Sequence, residues 1–512
     1  MLKKFYNLSS KLILDKNEKR FLSYFNTDFN FKKDNVLIIA PDDYYYLCYN
    51  YLIFKENLTN FNIHGYWPYP VHVTKIRLFE KFHKFKSDIY FKLLKNKYSK
   101  LYKIIGLQSF WDLNNLKLLF IEKSEDIEII SKAEKIFNRL NNKEEILNLN
   151  IDKIYCGDLI YDTYIRFRNK PTVDINDKFL KKIIYLSILS IRCFKKMQKK
   201  FKYKYFYTTY STYIHYGLLV RVFLQMNVKV YSGITMAQYN KKLTKKDYFS
   251  VDNYREFPKI FSKLNAKNKR IRLSKKMVDK IFFKNRKNLQ FNDYMEVDPF
   301  KKNNIKLKKN YDGIVFLQNF FESQREWGKL VFPDIYEWIN FTCDFIKKHK
   351  LNIAIKPHPN LSFSNNESVN IVNELKVKYK DIDWIDPSIS NIELFKNIKF
   401  GISAWGTILW ELAYFNIHPI SAGDHPAHKY KIGFEPRSIS QYKKILLSVD
   451  KLKYKNFVSK KKILEYCYMY YLFNNDAYKT IAREISLNKI DFSNSASLIK
   501  FTKIIKNLEN KY

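Results

Sequence analysis

Two stretches in the C-terminal half constrain the fold most: residues 351–360, LNIAIKPHPN, and residues 399–423, KFGISAWGTILWELAYFNIHPISAG. Short apolar runs ending at Pro or Gly predict buried strands, and helical apolar spacing between them predicts the crossovers of a parallel sheet. In order the segments read as strand, basic-histidine loop, helix, strand, small-residue turn, helix and strand. That is the wiring of a nucleotide-binding α/β half-domain.

With 512 residues the chain is too long for one core, and two domains with extensions are expected. Residues 35–40, NVLIIA, predict a first strand, followed by Pro41, Asp42 and Asp43, which would cap a helix from Tyr44. Further βα units are predicted at Lys153–Cys156, Tyr205–Thr209 and Val228–Tyr231, with a helix over Tyr213–Met226 and mainly charged amphipathic helix over Lys84–Asn150. The second domain opens with a strand at Gly313–Leu317 and a helix near Pro333–Lys348 carrying Trp338 and Phe341. The expected division is an N-terminal α/β domain over 1–257, a Lys-rich linker over 258–309, a nucleotide-binding domain over 310–440 and a helical, aromatic tail over 441–512. Both domains are expected to be Rossmann-like.

The net charge of +42 comes with Lys far in excess of Arg, abundant Asn, Ile, Phe and Tyr, and few Gly and Pro, which is how AT-rich coding looks. The charge is spread over the whole chain, and no zinc-finger spacing or RNP-like aromatic motif accompanies it, so no nucleic-acid partner is expected. An anionic membrane surface accounts for the same excess, at about 1 kcal/mol per Lys or Arg near such lipids. The five cysteines stand far apart without a CxxC pair and read as reduced core thiols of a cytoplasmic protein. The longest apolar helix, Ile183–Phe194, is interrupted by Ser187, Ser190 and Arg192 and falls short of the roughly twenty residues that a membrane span needs. A cytoplasmic protein, at most peripheral at the inner face of a membrane, follows.

In KPHPN, Lys356 ends a strand and His358 sits between Pro357 and Pro359, which stiffen the loop. Ligands bind at the carboxyl ends of parallel strands, so an amine and an imidazole are offered where a phosphate would sit. In GISAWGTILWE the strand ends at Ser403, Gly406 permits close backbone approach, and Thr407 offers a hydroxyl and an N–H at a helix start. Glu411 follows one turn later on the same face, suited to a ribose diol.

These motifs resemble those of the capsule polysaccharide biosynthesis family of bacterial glycosyltransferases, which includes Kdo- and sialic-acid-type transferases with two Rossmann-like domains in the GT-B arrangement. The resemblance spans roughly residues 311–440, with segments such as CGDLIYDTYIR and STYIHYGLLVR similar in the N-terminal half; no QPxE-type element is present. It implies that His358 and Pro359 contact the donor phosphate, with Lys356 beside them, and that Ser403, Gly406, Thr407 and Glu411 hold the rest of the nucleotide. The implied activity is transfer of a sugar from a CMP- or UDP-linked donor to a surface polysaccharide or lipid-linked glycan. Transfer of a polyol phosphate from CDP-glycerol and epimerisation of a UDP-sugar are rival chemistries on the same fold, and a non-catalytic polyanion-binding module is a rival of another class. For the acceptor's proton, Asp158 and Asp162 are the candidate bases, with Asp42, Asp43 and His215 as alternatives. Asp424, His425 and His428 lie close in sequence, yet no metal and no cofactor are expected, because such folds use helix starts and basic side chains in place of a cation.

Overall fold

The computed structural model describes residues 16–22, 34–40, 61–68, 84–104, 106–232, 241–251, 254–283, 298–301, 305, 307, 309–361, 366–449, 458–473, 499–500 and 502–503. It divides into two units, one of Met1–Arg168, Asp174–Ser250 and Ala477–Tyr512, the other of Asn169–Val173 and Val251–Asp476. Asp42, Asp43 and the helix expected from Tyr44 lie outside the described residues.

In the first unit the strands are β1 (Asp34–Ile39), β2 (Phe61–Tyr66), β3 (Ser109–Trp111), β4 (Asn150–Ile151), β5 (Ile154–Tyr155), β6 (Tyr205–Thr208), β7 (Lys229–Ser232) and β8 (Lys241–Lys242). The sheet order is β3-β2-β1-β6-β7-β8, parallel throughout except for the antiparallel β7–β8 edge. Val36–Ile39 of β1 are buried, as a central strand covered on both faces requires. The strand expected at Lys153–Cys156 does not join this sheet. It forms the separate antiparallel β4–β5 hairpin, whose turn residues Asp152 and Lys153 take φ of 50° and 68°. With that hairpin set aside, the sheet runs 3-2-1-4-5-6 in chain order, the doubly wound arrangement.

The second unit repeats this order. β9 (Gly313–Phe316), β10 (Ile353–Lys356), β11 (Phe400–Ser403) and β12 (His418–Ser421) form a parallel sheet in the order β10-β9-β11-β12. Single parallel bridges extend it at both edges, Ile355 with Trp384 and Ile420 with Phe434. Counted along the chain, the six positions again read 3-2-1-4-5-6. Each unit is thus a Rossmann-like α/β domain.

The Ile335–His349 helix shows how sequence sets an element here. Asp334 caps it by accepting from the Glu337 N–H at 2.7 Å, Lys350 ends it at φ 50°, and its buried stripe of Trp338, Ile339, Cys343 and Ile346 follows helical spacing. Residues 257–283, expected as the start of a solvated Lys-rich linker with some helix, form the helices Phe257–Ser262 and Lys267–Phe283 within the second unit. The reason is a stripe at helical spacing among the lysines: Met277, Val278, Ile281 and Phe282 are buried, and Phe282 packs against Trp410, Tyr414 and Phe415. Lys460–Tyr471, part of the expected tail, packs on the same two helices. Among the described residues no helix is long and apolar enough to cross a membrane, and Cys156, Cys193, Cys343 and Cys467 are buried free thiols.

Candidate functional site

In the 3-2-1-4-5-6 order the chain reverses direction across the sheet between β9 and β11, and the loops at their carboxyl ends part there. A cavity of about 350 Å³ opens at this point, within the roughly 300–1,000 Å³ range of small-molecule sites. Lys356, His358, Pro359, Ser403, Gly406, Thr407 and Glu411 all line it.

Lys356, the last residue of β10, is buried, and its Nζ donates to the Ile389 carbonyl and to Asn391 Oδ1, both at 2.6 Å. Burial lowers its amine to about pH 7, against the opposing pull of the Glu411 and Asp386 carboxylates. The acceptors bonded to it are neutral, so its charge has no hydrogen-bonded counter-ion. His358 lies half-buried in the next loop, where burial and then the Lys356 charge lower its imidazole to about 4. Its Nδ1 accepts from the Asn360 N–H at 3.2 Å, which leaves the neutral ring's proton on Nε2 as a donor. The loop therefore presents an amine and an N–H donor together.

The turn after β11 holds the opposite wall. Ser403 is spent on structure: its hydroxyl donates to the Phe316 carbonyl at 2.9 Å and the Trp405 carbonyl at 3.1 Å, pinning β11 to β9 and shaping the turn. Gly406 has φ +111°, and a Cβ there would fall 2.6 Å from Gln318 Nε2, which itself bonds the Trp405 carbonyl. Thr407 is exposed and begins the Ile408–Tyr414 helix without a side-chain capping bond, so its hydroxyl is not used by that helix. Glu411, one turn on, is buried.

Several lining residues were not singled out from the sequence. Gln318, Asn319 and Glu322 follow β9, and the strand expected at Gly313–Leu317 marked where its carboxyl end would place them. Trp327 and Tyr470 had no local signal. The Trp327 carbonyl is held by the Tyr254 hydroxyl and by Arg255 Nη2, the latter at 2.9 Å, and its ring meets that of Tyr470 at 6.5 Å. Gly328, at φ +140°, lets the loop close on Asp424, because a Cβ there would stand 2.3 Å from Asp424 Oδ2.

The acceptor-side candidates belong to the first unit. Asp158 is buried, and its two oxygens are bonded by the two Nη atoms of Arg221 at 2.6 Å each. Asp162 is buried on the same Gly157–Arg168 helix. His215 lies among the rings of Phe167, Tyr213 and Tyr216, and burial followed by the Arg166 charge lowers it to about 3. In the second unit His425 and His428 both bond Glu435, while Arg437 joins Asp424 to the same cluster. Among the described residues no group of three or more His, Cys, Asp or Glu is placed to hold a metal ion.

No protein-family model and no curated protein matches this chain, so the resemblance to capsule polysaccharide enzymes rests on the motifs alone. Solved structures similar to it include a UDP-GlcNAc 2-epimerase of Methanocaldococcus jannaschii at 10% identity, covering 84% of this chain and 97% of the other, with a TM-score of 0.25. The UDP-GlcNAc 2-epimerase of Neisseria meningitidis is similar at 9% identity, covering 88% and 100%, also with a TM-score of 0.25. Likeness at this level defines neither fold nor activity, and the fold rests on the strand orders above.

Proposed function

We propose that the second unit binds a nucleotide-activated sugar and that the protein transfers the glycosyl group to a glycan or lipid-linked acceptor. One observation carries this reading: a cavity at the switch point of a doubly wound sheet gathers a buried amine without a bonded counter-ion, an imidazole N–H donor, a glycine turn with a Thr hydroxyl, and a carboxylate one helical turn away. Phosphate oxygens would meet Lys356, His358 and Thr407, and the ribose diol would donate to Glu411. In the reaction the acceptor oxygen bonds to the anomeric carbon as that carbon's bond to the phosphate oxygen breaks. The nucleotide leaves with the electron pair, and its growing charge is met by Lys356 and by His358 Nε2–H. The acceptor's proton passes to a base, for which Asp158 and Asp162 are the candidates.

The test has two parts. Stabilisation of the folded protein by UDP, CDP, CMP or GDP, read as a rise in melting temperature, should appear in the parent and vanish in His358→Ala. Product analysis then separates the chemistries: a glycosylated acceptor supports transfer, a phosphodiester product shows polyol-phosphate transfer, and an altered free UDP-sugar without acceptor shows epimerisation. A parent that no nucleotide stabilises contradicts the reading altogether. Asp162→Asn should keep nucleotide affinity and lower turnover about 100-fold or more, the usual contribution of a positioned base.

A further inference from the structure

The cavity lining differs in chemistry from one side of the sheet to the other. Lys356 and His358 follow β10, on one side of the β9–β11 switch. The segment carrying Trp327 is fastened to the other side, at β12: the Lys329 N–H donates to Asp424 Oδ2 at 2.9 Å, Val331 N–H to the Ala422 carbonyl at 2.8 Å, and Leu330 bridges Gly423. From β10 to β12 is three strand spacings, about 14 Å, which exceeds a phosphate group and leaves room for a sugar ring joined to it.

At the β12 side the lining is aromatic, and the loop from β9 that leads to Trp327 adds a carboxylate. Trp327 and Tyr470 are half-buried, Tyr470 is fixed by stacking on Tyr466 at 5.5 Å, and the exposed Glu322 reaches the same cavity. A carboxylate there is a poor neighbour for phosphate, since it is an acceptor only. It suits a group rich in O–H donors. An aromatic face carries negative quadrupole charge and attracts the weakly positive C–H face of a pyranose ring, so rings beside a carboxylate recognise sugar where an amine beside an imidazole recognises phosphate.

We infer that Trp327, Tyr470 and Glu322 form the subsite for the glycosyl group of the donor, the rings stacking on its C–H face and the carboxylate accepting from its hydroxyls. This rests on the nucleotide-sugar reading and deepens it: donor-sugar selection lies in the loop after β9 and in the Lys460–Tyr471 helix, apart from the phosphate-binding loops. Gly328 is the positioning residue, because the turn that turns Trp327 into the cavity admits no side chain at that position.

The experiment titrates parent, Trp327→Ala, Tyr470→Ala and Glu322→Gln with the free nucleotide that the parent binds best among UDP, CDP, CMP and GDP, and then with a panel of sugar esters of that nucleotide. Melting curves of the empty variants confirm that they are folded, and Trp327→Phe retains a ring as a control. The parent should bind at least one sugar ester more tightly than the free nucleotide. The variants should keep free-nucleotide affinity and lose that gain, about tenfold, with Trp327→Phe intermediate. Equal weakening of free nucleotide and sugar ester would place the nucleotide itself on this wall and overturn the inference, as would a parent that gains nothing from the sugar. A parent that binds no nucleotide fails at the earlier step and contradicts the proposed function instead.

Discussion

Both units bury cations, and two of these, Arg221 and Lys356, are treated in opposite ways. In the first unit, Arg221 is bonded through both Nη atoms to the Asp158 carboxylate, which holds the guanidinium above its ordinary value even though burial works against it. In the second, Lys356 has a carbonyl and a side-chain amide for bonded partners, and burial lowers it to about 7. Both units share the 3-2-1-4-5-6 strand order. The difference lies in where the cation stands: Arg221 packs on a helix whose charge is closed by its own fold, whereas Lys356 ends a strand beside a cavity. A matched buried pair is architecture, whereas a buried amine without a bonded carboxylate, at a strand's carboxyl end, carries the proposal of an anion site made above.

The largest effect that would break this comparison comes from removing each cation. Lys356→Met should abolish nucleotide binding without lowering the melting temperature of the empty protein, because the amine is a cost to the fold. Arg221→Met should destabilise by about 3–5 kcal/mol, since it strands a buried carboxylate, yet leave the nucleotide affinity of the folded protein unchanged. Denaturant melts and titrations on both variants decide it; a destabilised Lys356→Met or a nucleotide-deficient Arg221→Met would reverse the assignment.

The same contrast explains what was legible from sequence. The cavity's cation, imidazole, turn and carboxylate lie in two βα loops, where strand ends and punctuating Pro and Gly are local signals. The pairing of Asp158 with Arg221 carried no local signal, because the two are 63 residues apart. Trp327 was invisible for a similar reason: Tyr254, Arg255 and Asp424 set its loop, and none is near it in the chain. The buried stripe of the Lys267–Phe283 helix was masked by the lysines around it. β3 has three residues and, among the described residues, pairs only with β2, too short a run to stand out within the expected helical segment.

A smaller effect sharpens the role of the cavity's carboxylate. Glu411→Gln should weaken binding of ribonucleotides while sparing 2′,3′-dideoxynucleotides, because the amide keeps the shape and loses the charge-assisted acceptor. Parent and variant are compared with both ligands, and a parent without preference for the ribo form would remove Glu411 from the ribose. The smallest effect concerns the +42 charge that neither buried site uses. Binding to anionic vesicles should be present at low salt and fade as the screening length shrinks from about 10 Å at 0.1 M, read by co-sedimentation. Absence of binding at low salt would return the charge to codon drift.

The central claim, that Lys356 is an amine awaiting an anion, also fixes a proton balance. With its amine lowered from 10.5 to about 7, the folded empty protein holds Lys356 neutral in the window between those values while the unfolded chain keeps it charged. The unfolded state then binds more protons, so this group's contribution to stability rises with pH across the window, and a bound phosphate, which favours the charged amine, must draw a proton in. Isothermal titration at pH 8.5 in buffers of different ionisation enthalpy measures that proton directly. The expected result is uptake approaching one proton per bound nucleotide, with affinity falling as pH rises above about 7; nucleotide binding without proton uptake at pH 8.5 would show that Lys356 is charged before the ligand arrives and would contradict the claim.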